Sequence, residues 1–328
     1  MKKIIFLICA AGLIGVFSGC AKSGSDDGMT YELKLGTVLT EKDPVYKGYE
    51  ELKKNVEAKT KGKLIISLYP SSQLGADKDI LEQAKLGTNV AVITDSSRLA
   101  EIVPEFGIMA APYVFENYDE IRKFIETDLF KQWSAKFAGS GYKMLSFNWY
   151  QGDRHFLTKV PVEKPSDLKG IRIRSMGSKI AIDSLNAMGA NATPLPWSEV
   201  YTGIQQKAID GAEAQLPAVD GAKLYEVISH VALTGHFQLN TGLVTSEKWF
   251  DSLPAEYQKI LLEESVKAGD YASKLTLDGL KQYQKNMEAA GVTFHKVDLK
   301  PFIDASQKVY KDNNLFELKA QIDKALGK

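Results

Sequence analysis

Only two cysteines occur in 328 residues, Cys9 and Cys20, and both lie near the N-terminus. The rest of the chain therefore has no disulfide framework, no cysteine-based metal site and no thiol nucleophile. A surplus of one charge is also missing, since 41 Lys and Arg face 41 Asp and Glu for a formal net charge of zero. No basic face dominates the surface, which speaks against nucleic acid as a partner. The histidines His155, His230, His236 and His295 show no HxH or HExxH spacing, so no metal motif is present. Gly-x-Gly-x-x-Gly, the Walker-type Gly-x-x-x-x-Gly-Lys-Ser/Thr and the Gly-x-Ser-x-Gly elbow are absent as well. Carboxylates are plentiful, but no spacing singles out a pair for acid and base chemistry. The sequence thus offers no catalytic constellation and no cofactor or metal motif, and it reads as a non-enzyme. What is there is ordinary: 44% hydrophobic and 25% charged residues, the composition of a globular protein with room for two domains.

The N-terminus accounts for both cysteines. Lys2 and Lys3 form a short basic region, Ile4 to Phe17 an apolar run, and Ser18-Gly19-Cys20 a small-residue cleavage site followed by cysteine. Residues 1–19 read as a signal peptide, with a permanent anchor helix as the alternative. The apolar run is shorter than the ~18–20 residues of a spanning helix, and no later segment of that length is free of charge. The small pair before cysteine resembles the bacterial lipobox. By that resemblance Cys20 becomes the lipidated first residue, residues 20–30 form a flexible leash rich in Ser, Gly and Asp, and the protein is exported. It would sit lipid-anchored on the outer side of the cytoplasmic membrane, or in the periplasm.

Beyond the leash, periodicity predicts alternating strands and helices. Tyr31 to Val38 alternates like a half-buried strand, and Pro44 to Lys59 carries Val45, Tyr49, Leu52 and Val56 at helical spacing. Lys63 to Tyr69 is a second strand, Asp77 to Leu86 a helix, and Val90 to Thr94 an apolar β-branched strand. That succession argues for a parallel α/β sheet. The pattern returns with strands at Tyr142 to Phe147 and Ile171 to Ser175, a helix at Lys179 to Met188 and an extended Asn191 to Pro194. Ser198 to Lys207 reads as a helix, and Ala208 to Glu213 leads into a turn. From Pro254 to Ala290 apolar residues keep helical spacing through Gly269 and Gly279, which gives one long helix or two ordinary ones broken at a glycine.

Binding-type residues gather in the central third. Arg172 and Arg174 alternate with Ile171 and Ile173, so both point to one face of a strand. Arg172 reads as solvated. Arg174 is the last residue before a Ser-Met-Gly-Ser turn and a helix, and ligands of open α/β folds collect at the carboxyl ends of strands. A guanidinium there presents two parallel N–H donors to a carboxylate, which lysine cannot match.

Four segments make the chain recognisable: Leu64-Ile-Ile-Ser-Leu-Tyr-Pro-Ser-Ser-Gln-Leu-Gly75, Leu168-Lys-Gly-Ile-Arg-Ile-Arg174, Pro196-Trp-Ser-Glu-Val-Tyr-Thr-Gly-Ile-Gln-Gln206 and Ile209-Asp-Gly-Ala-Glu213. In this order they closely resemble the substrate-binding proteins of TRAP transporters, the DctP-type family, from about Tyr31 to Asp312. The resemblance implies a two-lobed periplasmic-binding-protein fold of α/β class that closes on an organic acid and delivers it to a membrane permease driven by a cation gradient. It places residues 31–151 and 240–279 in lobe I and residues 152–239 and 280–328 in lobe II, with a long helix at about 254–290 crossing both.

The same resemblance distributes roles. Arg174 binds the ligand carboxylate bidentately, Arg154 is a second donor, and Trp197 packs on the ligand, an ordinary core aromatic being its alternative. Asp95 corresponds to a ligand-reading carboxylate after the third strand, with a structural strand-end role as alternative. Glu213 is typical of the family and either touches the ligand or orients neighbours, and Gln215 and Asn240 fall near the cleft. Glu199 and Tyr201 read as capping or packing residues. Two departures argue against sialic acid: Ala214 and then Gln215 stand where its binders carry asparagine after Asp-Gly-x-Glu, and Val38 replaces another asparagine. A sugar acid or a hydroxy or keto acid is the expected ligand. Arg154 and Arg174 could also hold the two ends of a C4-dicarboxylate; a sensor subunit or an exported enzyme on the same fold are more distant alternatives.

Overall fold

The computed structural model describes residues 29–328, so the signal sequence, Cys20 and nearly all of the leash lie outside the described residues. The first lobe begins with β1 (Tyr31–Gly36), α1 (Pro44–Lys59), β2 (Leu64–Tyr69), α2 (Asp77–Lys85), β3 (Val90–Asp95) and α3 (Ser96–Leu99). A 3-10 turn at Pro104–Ala110 and the helices α4 (Tyr118–Ile125) and α5 (Asp128–Ala135) precede the long strand β4 (Tyr142–Thr158). There follow β5 (Arg172–Ser175), α6 (Lys179–Ala187), β6 (Asn191–Pro194), α7 (Val200–Gln205), β7 (Gly211–Gln215) and α8 (Leu216–Gly221). A second long strand, β8 (His230–Ser246), then leads into α9 (Glu247–Asp251) and α10 (Ala255–Ala289), and the chain ends with β9 (Thr293–His295), α11 (Lys300–Asp312) and α12 (Phe316–Leu326).

The strands form one sheet in the order β2-β1-β3-β8-β4-β7-β5-β6, with β9 on β8. At one end β2, β1 and β3 are parallel, and at the other β7, β5 and β6 are parallel. Between them β4 and β8, of 17 residues each, run antiparallel to one another and to β7 and β3. The parallel sheet expected from the strand and helix alternation is therefore corrected to a mixed one. The chain crosses between lobes on β4 and returns on β8, and two successive crossings must run in opposite directions. Bulges interrupt their pairing on either side of Gly152, whose φ of +116° few other residues adopt.

Period-2 alternation sorts side chains into cores on both faces of each lobe. On β3, Val90 and Val92 join Ile80, Phe106, Phe124 and Trp133, whereas Ala91 and Ile93 join Leu33, Leu35, Tyr49 and Trp149. In the second lobe Phe156 and Ala232 face Leu185 and Phe302, while Leu157 and Val231 face Ile204 and Met287.

Helix α10 runs 35 residues through Gly269 and Gly279 without a break. Its Leu261, Ala268 and Ala272 lie in a first-lobe core and its Met287 in a second-lobe core, so it crosses both. Small residues let α10 press against α1: a Cβ on Gly48 would come within 2.6 Å of Trp149 and 2.9 Å of Ala272.

Two expectations are revised by packing. Ala208 to Glu213 does not simply lead into a turn, because Gly211–Gln215 is a buried strand between β4 and β5. Gly-Ala-Glu-Ala-Gln lacks β-branched residues, and its place is set by tight neighbours; a Cβ on Gly211 would meet the Leu157 carbonyl at 2.2 Å. The C-terminus also departs from the expected division at 280–328. Phe302 of α11 sits in a second-lobe core, but Ile322 of α12 joins Phe106 and Tyr310 in the first, because α12 covers an apolar surface there.

Candidate functional site

The carboxyl ends of strands from both lobes converge on one cleft, with a cavity of about 540 Å³. Thr37 and Val38 follow β1, Asp95 ends β3, Arg174 and Met176 bracket the end of β5, Pro194 ends β6 and Gln215 ends β7. The volume is that of a small-molecule site.

Arg154 and Arg174 both line this cleft, and both are nearly inaccessible, at 3% and 6% exposure. Arg154 is held from within. Its Nε donates to Glu213 Oε2, its Nη2 donates to Glu213 Oε1 at 2.8 Å and to the Glu213 carbonyl at 2.6 Å, and its Nη1 donates to Gln215 Oε1 at 2.8 Å. The pairing register sets this up, because Arg154 on β4 lies opposite Gln215 on β7.

From Gln215 a one-way chain of hydrogen bonds crosses the sheet. Gln215 Nε2 donates to Gln151 Oε1 at 3.0 Å, Gln151 Nε2 to Thr241 Oγ1 at 3.1 Å, and the Thr241 hydroxyl to the Trp149 carbonyl at 2.9 Å. The guanidinium can only donate, which forces Gln215 to present its oxygen and so fixes every amide after it. Behind Arg154, His236 stacks on Phe156 with ring centroids 4.6 Å apart, and its Nε2 lies 3.9 Å from Glu213. Burial, with His155 and Arg154 nearby, holds the His236 imidazole well below its ordinary range, so the ring is neutral.

Arg174 is the opposite case. Its Nε donates to the Leu195 carbonyl at 2.8 Å, and among the described residues neither Nη has a hydrogen-bond partner. Four N–H donors are left facing the cleft. Its guanidinium carbon stands 5.5 Å from the centre of the Trp197 ring, which aligns a cation on an aromatic face. Burial first, and Arg154 next, pull the Arg174 guanidinium down to about 10, still charged at neutral pH but short of compensation. Arg172, two residues back, is instead forked onto Asp210, with Nε to Oδ2 at 2.9 Å and Nη2 to Oδ1 at 2.8 Å.

Of the other candidates, Asp95 lines the cleft but also caps α3, accepting from the Ser97 amide at 2.9 Å and the Arg98 amide at 3.3 Å. Glu213 lies behind the lining and orients Arg154. Asn240 is likewise outside the lining: Leu239 and Thr241 face the cleft, while Asn240 between them donates to the Phe147 carbonyl at 2.9 Å. Glu199 is exposed, and Tyr201 donates to Glu226 at 2.8 Å.

The structure adds lining residues that the sequence reading missed, among them Asp77, Arg98, Gln151 and Thr241. Arg98 Nε stands 3.6 Å from Asp95 Oδ2, and burial pushes the Asp77 carboxyl up to about 7, with Arg98 opposing. Arg98 was within reach of the argument that singled out Arg174, since it lies one helical turn beyond a strand end. Gln151 was not, because a bulge sets its direction. The resulting cleft has free donors from Arg174 on the second-lobe wall and the carboxylates of Asp77 and Asp95, with Arg98, on the first-lobe wall.

Known proteins share this sequence and fold. The model of the DctP family, "Bacterial extracellular solute-binding protein, family 7", matches residues 35–316. The 2,3-diketo-L-gulonate-binding periplasmic protein YiaO of Escherichia coli K12 is 28% identical over 314 residues, 95% of this chain and 93% of that protein. A TRAP periplasmic solute-binding protein from Escherichia fergusonii, solved in an apo open form, is 44% identical with a TM-score of 0.80, covering 90% of this chain and 100% of that one. Another from Ochrobacterium anthropi, with bound L-fuconate, is 30% identical with a TM-score of 0.88, covering 90% and 99%. The fold thus agrees better with the liganded protein than with the open one, although sequence identity runs the other way.

Proposed function

This chain belongs to family 7 of the bacterial extracellular solute-binding proteins, and we propose that it captures a sugar acid or a related hydroxy or keto acid for a TRAP-type transporter. The observation that carries this reading is Arg174, a buried cation whose Nη groups have no hydrogen-bond partner among the described residues and whose guanidinium sits over Trp197 inside the cleft. A ligand carboxylate would accept two parallel N–H bonds there, at roughly twice the strength of neutral hydrogen bonds. Arg154, with one N–H left, would assist from the same wall, and Trp197 would cover the ligand's apolar face.

The opposite wall supports a polyhydroxylated tail over a second carboxylate. Asp95 would accept hydrogen bonds from ligand hydroxyls and Asp77, raised to about 7, could accept or donate them, whereas a C4-dicarboxylate would bring a second anion against Asp95, whose charge Arg98 offsets only in part. Ligand contacts from both walls would stabilise the closed arrangement of the lobes, and that closed form would be the one the membrane permease reads. Lipidation at Cys20 would keep the carrier beside its permease.

Calorimetry and thermal shift across uronates, aldonates, keto acids and C4-dicarboxylates test the assignment. A six-carbon sugar acid is expected to give the largest shift, since ligand at 100 times its Kd stabilises by about 2.7 kcal/mol. Tighter binding of a dicarboxylate would overturn the ligand class, and turnover of bound ligand would overturn the carrier role.

A further inference from the structure

We propose that His230 and His295 form a cross-strand site for a divalent transition metal, fitted to copper or nickel. Strand β9 is three residues long and parallel to β8, with His230 opposite Thr293 and His295 opposite Ala232. The two imidazoles therefore share a face of neighbouring strands, offset by two residues. His230 Nδ1 lies 2.9 Å from His295 Nε2, and the rings are tilted by 44° with centroids 5.1 Å apart. Both are partly buried, so solvent still reaches the pair. The other two histidines are taken: His236 is buried against Phe156, and His155 Nδ1 accepts from the Gly235 amide at 3.0 Å.

The separation selects a coordination geometry. Two nitrogens 2.9 Å apart, each about 2.05 Å from a metal, subtend about 90°. Once the rings turn so that both lone pairs converge on one point instead of facing each other, that is the cis angle of square-planar and octahedral sites, which suits Cu²⁺ and Ni²⁺; tetrahedral Zn²⁺ would require the nitrogens also to spread to about 3.3 Å.

Protons balance as well. One ring now donates its N–H to the other. When metal enters, that ring moves its proton to its outer nitrogen through solvent, both facing nitrogens present lone pairs, and no net proton is released. Among the described residues no group of three or more His, Cys, Asp or Glu converges, so water completes the coordination shell. Bound metal would clip β9 onto β8 and brace the start of the C-terminal helices.

Untagged protein titrated with CuCl₂ near neutral pH, followed by calorimetry and electron paramagnetic resonance, tests the site. One equivalent is expected to bind with two imidazole nitrogens in the equatorial plane. His230→Ala and His295→Ala should each weaken binding about tenfold or more and reduce the count to one nitrogen. Cu²⁺ exceeds other metals at most nitrogen sites, so the angle argument is checked by Ni²⁺ binding more tightly than Zn²⁺. Unchanged Cu²⁺ affinity in both variants, or fewer than two imidazoles in the wild-type spectrum, would sink the site. Zn²⁺ binding at least as tightly as Ni²⁺ would overturn the geometry. If either alanine variant lowers the metal-free melting midpoint, His295→Asn, which keeps a polar side chain at the strand, decides the same question.

Discussion

Arg154 and Arg174 are buried in one cleft, carry the same charge, and do opposite work. Arg154 directs four of its five N–H groups into the protein, onto Glu213 and Gln215. Arg174 directs one, onto the Leu195 carbonyl. The difference teaches that burial alone does not mark a binding residue. A buried cation whose donors are matched mainly serves the scaffold, and one whose donors are unmatched is the better candidate to meet an anion. The poorly compensated charge of Arg174 is a local instability that, under the proposed function, a ligand carboxylate would relieve.

The largest effect separating the two is expected on stability. Arg154→Ala strands the buried Glu213 carboxylate and should destabilise the ligand-free protein by about 3–5 kcal/mol, read by denaturant unfolding. A loss below ~1 kcal/mol would mean that Glu213 finds another partner.

Arg174→Met should act in the reverse sense. Ligand affinity should fall by about 2–5 kcal/mol, some 30-fold or more, while the ligand-free protein melts no lower than wild type and rises if the relieved charge dominates. Calorimetry with the cognate acid and a melt without it check both halves. A large drop in ligand-free stability would erase the distinction between the two arginines.

The smallest effect concerns the chain that holds Arg154. Gln215→Leu removes the acceptor of Arg154 Nη1 and the donor to Gln151, and should lower stability by about 1–3 kcal/mol. Affinity should fall less than in Arg174→Met. An equal loss of affinity in the two variants would show that Gln215 is itself a main contact of the ligand.

Much of this is legible in the sequence alone, for physical reasons. Short strands buried on both faces, such as Val90-Ala-Val-Ile, and amphipathic α1 announce themselves by local pattern, and Arg174 stood out by its place at a strand end. The long helix was visible, but whether Gly269 breaks it was not; packing decides that, since a Cβ there would strike Asn148 at 2.5 Å. Strand β4 was visible only to Phe147 and β8 not at all, because bulges and the positive-φ glycines Gly152 and Gly235 scramble the alternation along both. The same irregularity hid Gln151. The use of Arg154 was hidden differently: its partner Glu213 is 59 residues away and meets it only through sheet register.

Strands β4 and β8 carry one further consequence. Because the same two ribbons run unbroken through both lobes, the lobes are not beads on a linker but two ends of one bent leaf spring. Any opening of the cleft would have to flex and twist this shared ribbon, and cutting the chain between lobes would leave each half with torn sheet edges rather than a finished domain.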